Sequence, residues 1–98
     1  MTPPELDRLT RDYRAAFLRY LPRREEVALA RAYEIGRAAV TDGISLLALT
    51  RIHHQVLLEV LRHTPAAEVE DIATAASEFL VEALATYDMT HRRLHDSE

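Results

Sequence analysis

The chain has very few places where a helix can stop. Glycine occurs only at 36 and 43, and proline only at 3, 4, 22 and 65. The stretches between them are dominated by alanine, leucine, glutamate and arginine, which lose little on entering a helix. So few turn formers leave little material for hairpins or strands. The expected fold is all-α: a four-to-five-helix, up-and-down-like bundle forming one domain over residues 1–98.

The first helix is expected from about Pro3 to Leu21. Thr2 can cap it, and Glu5 stands three residues later, as in a capping box. Pro3 loses nothing at the first helical position, where its N–H would have no partner. Leu6, Leu9, Tyr13, Ala16, Phe17 and Tyr20 form one apolar stripe, with Leu18 outside it. Pro22 ends the helix because it disfavours helical geometry at Leu21.

The second helix is expected from about Arg23 to Val40 or Thr41, with Leu29, Ala32, Tyr33, Gly36 and Val40 as its stripe. A glycine inside a helix costs about 1 kcal/mol against alanine, so Gly36 implies close approach of another helix. Asp42-Gly43 is a stop signal, since glycine takes the left-handed conformation without strain. Ser45 then caps a third helix, from about Leu46 to His63. One of its faces is Leu49, Ile52, His53, Val56 and Val60; another is Leu47, Leu57, Leu58 and Leu61. Apolar residues nearly all round imply burial on several sides. Thr64-Pro65 reads as a cap and first position for a last helix reaching about Leu94, with a short break near Ala67 to Val69. Its stripe is Val69, Ile72, Ala76, Phe79, Leu80, Ala83 and Tyr87.

Several function classes are disfavoured. The net charge of −4 argues against a nucleic-acid surface. There is no cysteine, hence no disulfide or thiolate metal site. No apolar run approaches the roughly 18 residues of a membrane span, and Met1-Thr2-Pro3-Pro4-Glu5 is not a secretory leader. A cytoplasmic location is the expectation. His53 and His54 point about 100° apart on a helix and do not readily share a metal. His53 falls on an apolar face and is expected to be buried against a carboxylate or carbonyl. His91 and His95 have metal-compatible spacing, without a clear third ligand and near a charged terminus. Glu78 and Glu82 are like charges one turn apart, tolerable if a cation lies near. No Gly-rich phosphate loop or nucleophile elbow is present. The expectation is no catalytic residue, no metal and no cofactor.

A helix-turn-helix around Gly43-Ile44-Ser45 has the outline of a DNA reader, but its second helix opens Leu46-Leu47-Ala48-Leu49, where polar groups would meet base edges. A helical small-molecule sensor is the other alternative. The positive signal is surplus apolar surface. Val27, Ala30, Val81 and Ala85 fall beside the stripes, more than four short helices can cover alone.

In order along the chain, Tyr13 and Tyr20, Ala32-Tyr33, Gly36-Arg37, Ile44, Ile52-His53, Val56-Leu57, Phe79-Leu80-Val81-Glu82 and Tyr87-Asp88-Met89 resemble the N-terminal domain of RsbU-type phosphatases. The resemblance runs from about Tyr13 to Leu94. It implies an all-helical homodimer, similar in shape to the C-terminal domain of the clock protein KaiA. It further implies binding of an RsbT-like switch kinase, which activates a downstream phosphatase in the partner switching that releases a stress sigma factor. No phosphatase domain lies within these 98 residues. The expected kinase-binding residues are Ala30 and Glu34 on the second helix with Val81, Glu82 and Ala85 on the fourth. Tyr33, Arg37 and His53 are expected to serve as internal scaffolding.

Overall fold

The computed structural model describes residues 3–96. Four α-helices follow one another: α1 (Pro3–Tyr20), α2 (Glu26–Thr41), α3 (Leu46–Arg62) and α4 (Val69–Asp96), with one 3-10 turn at Ala66–Glu68 before α4. This is the expected all-α bundle, and the expected break ahead of the last helix is that turn. The cap expected from Thr2 lies outside the described residues.

α1 buries Leu9, Tyr13, Ala16, Phe17 and Tyr20, its expected stripe apart from the half-buried Leu6. After Leu21 the chain reverses through Arg24, whose φ of 54° is left-handed. That conformation costs a non-glycine residue about 1–2 kcal/mol. It also explains why α2 begins at Glu26 and not at Arg23. Arg24 N–H still bonds the Tyr20 carbonyl at 2.8 Å, closing the end of α1.

α2 and α4 form the most extensive helix pair, followed by α1 and α2. They run in the same direction. Arg24, before α2, meets Glu78 of α4; Gly36 meets Ala83; and Tyr87 Oη donates to the Ile44 carbonyl just past α2, at 2.9 Å. A Cβ at Gly36 would overlap the Ala83 carbonyl oxygen and come within 3.1 Å of Thr86 Cβ. The close approach expected at Gly36 is therefore present, and it is backbone against backbone.

The buried line of α2 differs from the expected one. Ala28, Ala32, Ile35, Gly36 and Ala39 are buried, whereas Leu29 and Val40 are half-buried and Tyr33 is 40 % exposed. Small residues let α2 lie close to its neighbours, and its larger side chains other than Ile35 are turned toward the rim. Gly43 takes the left-handed φ of 71° and Ser45 Oγ accepts the Ala48 N–H at 3.1 Å, so the turn into α3 is built as its residues suggest. Thr64 does not cap. Its hydroxyl donates back to the Val60 carbonyl at 2.6 Å, and Pro65 is extended ahead of the 3-10 turn.

The core is aromatic at its centre. Phe79 of α4 stands edge-on to Tyr13 and Phe17 of α1, with ring centroids 5.2 and 5.6 Å apart. Such edge-to-face pairs add about 0.5–1.5 kcal/mol each beyond their buried area. Leu49, Ile52 and Val56 of α3 complete the core. The second face of α3 is not covered as expected. Leu47 and Leu58 are exposed, and Leu57 and Leu61 are half-buried.

Candidate functional site

The expected kinase-binding residues sit on the two most closely packed helices. Ala30 and Glu34 are exposed one turn apart on α2, and Val81 and Ala85 are exposed one turn apart on α4. Glu82 beside them is half-buried, and its carbonyl accepts the Thr86 hydroxyl at 2.9 Å. Val81 is 63 % exposed, a substantial apolar side chain left in water. Glu34 forms an ion pair with Arg31 along α2. Among the described residues, no hydrogen bond or ion pair joins the α2 pair to the α4 group. The shared packing of the two helices is what holds them in one frame.

Tyr33 and Arg37 are not scaffolding. Both are exposed on α2, because the helix is rotated to bring its alanines inward. His53 is buried as expected, but its partner is neither a carboxylate nor a carbonyl. Tyr13 Oη and His53 Nδ1 are 2.6 Å apart, which makes the neutral imidazole the acceptor and the phenol the donor. Burial lowers the His53 pKa below the ordinary histidine value, helped by neighbouring His54, and burial raises that of Tyr13. Both side chains are buried and pack edge-on to Phe79 and Phe17 respectively, so the pair is part of the aromatic core.

A second polar node ties α4 to the α1–α2 turn. Arg24 grips the Glu78 carboxylate through Nε at 2.8 Å and also through Nη2, and Tyr20 Oη reaches the same oxygen at 3.3 Å. Arg24 is the cation that relieves the Glu78–Glu82 repulsion. Sequence reasoning did not name it; the available signal was that Arg24 has no carboxylate three or four residues away on either side. On the far side, Arg14 of α1 makes a two-bond contact with Glu59 of α3 at 2.9 and 3.0 Å, holding the Glu59 carboxyl below its usual range.

His91 Nε2 and His95 Nε2 lie 3.1 Å apart at the end of α4. Among the described residues no group of three or more histidine or acidic side chains is arranged to hold a metal. Nor is any described helix long and apolar enough to cross a membrane.

The comparison with protein families decides the lineage. The family model of the N-terminal domain of phosphoserine phosphatase RsbU matches residues 11–90, most of the chain. The chain belongs to this family. No curated protein and no solved structure gives a significant match. Residues 11–90 run from the first half of α1 into the last third of α4, so the RsbU N-terminal domain comprises the whole aromatic core and the Gly36–Ala83 contact. It is a regulatory domain, and the phosphatase domain of such proteins is separate from the residues present here.

Proposed function

We propose that this chain is a single non-catalytic module that pairs with a second copy of itself and binds an RsbT-like switch kinase. Through that binding it controls an RsbU-type phosphatase in cytoplasmic partner switching and sigma-factor release. Membership in the RsbU N-terminal family is the observation that carries the reading. The surface chemistry supports it. Ala30, Glu34, Val81 and Ala85 are open to solvent on the α2–α4 pair, with Glu82 half-buried alongside. Small apolar residues allow close approach, and carboxylates orient basic groups of a partner. Beyond this surface, Leu47 and Leu58 leave α3 an uncovered apolar flank of the kind that self-association covers.

The test is a pull-down with the kinase. Val81→Asp and Ala85→Asp proteins are expected to keep their helical circular dichroism and their dimeric mass by light scattering while losing the kinase. Binding retained by both variants removes this face from the reading; a monomeric wild-type mass removes the pairing.

A further inference from the structure

The corner where α1 turns into α2 is basic in a chain whose net charge is −4. A cleft of about 540 Å³ opens there, lined among others by Arg19, Arg23, Arg31, Glu25 and Val27. Three arginines thus line the cleft against one carboxylate residue, Glu25. Arg19 has no hydrogen-bond or ion-pair partner among the described residues. Arg23 reaches Glu25 only at 3.8 Å, with most of its side chain in water. Arg31 pairs along α2 with Glu34, outside the cleft. Val27 is 82 % exposed, more than any other large apolar side chain described. Arg24, by contrast, is turned away from the cleft onto Glu78.

We propose that this cleft docks an acidic protein segment in which carboxylates flank a short apolar side chain. A guanidinium fork matches a carboxylate in two parallel hydrogen bonds, and Arg19 and Arg23 hold that capacity unused. Val27 gives the segment an apolar contact between the charges. A broad anionic sheet or a nucleic-acid duplex fits poorly, because Glu25 and Glu26 stand exposed at the same corner, with Glu34 farther along α2, and would repel an extended polyanion. A narrow segment passes between them. Val27, Ala30, Arg31 and Glu34 follow at i, i+3, i+4 and i+7 on α2, so the cleft continues the kinase-facing surface. The inference rests on that reading only for which protein supplies the segment.

The experiment is an NMR titration of the isotope-labelled chain with the end-capped peptide Glu-Asp-Val-Glu-Asp. Parallel titrations use Lys-Lys-Val-Lys-Lys, inorganic phosphate and a DNA duplex. The expected result is saturable shifts of the Val27 methyls and the Nε–H groups of Arg19, Arg23 and Arg31 with the acidic peptide alone, weakening as salt is raised. An Arg19→Glu/Arg23→Glu protein is expected to bind about tenfold or more weakly, and the milder Arg19→Gln/Arg23→Gln protein shows the loss should the first misfold. Equal shifts with phosphate or duplex, shifts scattered away from the corner, or undiminished binding by the glutamine variant would overturn the proposal. Val81→Asp is titrated alongside and is expected to bind the peptide like wild type, so failure of the kinase-facing surface and failure of the cleft register separately.

Discussion

α2 and α3 meet the core in opposite ways. α2 buries mostly small residues, Ala28, Ala32, Gly36 and Ala39 with Ile35, and turns Val27 and Tyr33 outward. α3 buries Leu49, Ile52 and Val56 and still leaves Leu46, Leu47 and Leu58 in water. Hydrophobicity alone ranks α3 as the more deeply inserted helix. Distance of approach reverses the ranking. A helix faced with alanine and glycine lies against its neighbours' backbones and is held along its length. A helix faced with leucine stands off on its side chains, covers one flank and exposes the other.

The most damaging way to break that contrast is to add one carbon to the closest seam. Gly36→Ala places a methyl group on the Ala83 carbonyl oxygen, and the obstacle is backbone. Overpacking of this kind costs about 1–3 kcal/mol, against a gain of about 1 kcal/mol in helix propensity. A net loss is expected, read as a lower midpoint in urea with an unchanged slope; equal or greater stability would show that α2 and α4 separate easily.

The contrast is sharpened, with a smaller effect, by acid. His53 on the covered flank of α3 has its folded-state pKa held below the ordinary 6.5. The unfolded chain therefore takes up its proton first. Stability contributed by the neutral Tyr13–His53 pair is complete above about pH 6.5 and declines as the pH falls below it, toward the folded-state pKa. Urea midpoints measured between pH 7.5 and 5 are expected to decline less steeply in His53→Gln than in wild type. Parallel declines would mean that the imidazole is already wet.

The smallest effect belongs to the open flank. Leu47 is 61 % exposed, and Leu47→Gln is expected to change the stability of the folded chain by no more than about 0.5 kcal/mol. A larger loss at high protein concentration than at low would place Leu47 in a seam between copies.

The outlines of α1 and α3 were legible because their stripes are built of large residues at helical spacing. Gly36 and Ser45 were legible because each has one economical explanation, close approach and capping. The rotation of α2 was not. Its apolar residues run nearly all round, and choosing among them by size points to Leu29 and Tyr33 where packing selects alanine. The same weighting passed over Ala75 and Thr86, both buried in α4. The reversal at Arg24 has no local signature, because its left-handed backbone is held by contacts with Tyr20 and Glu78 that are tertiary or lie across the turn. Of the candidate site, exposure of Val27, Ala30, Val81 and Ala85 followed from their positions off the stripes, whereas the basic cleft depends on how one turn folds.

The contact at Gly36 has a mechanical consequence. Where two helices meet through side chains, a small displacement of one is taken up by rotamer changes in between. Here no rotor intervenes between the α2 backbone and the Ala83 carbonyl. A push on the outer side of α2 has nowhere to dissipate at that point. It is delivered to α4, whose 28 residues span about 42 Å as one unbroken rod.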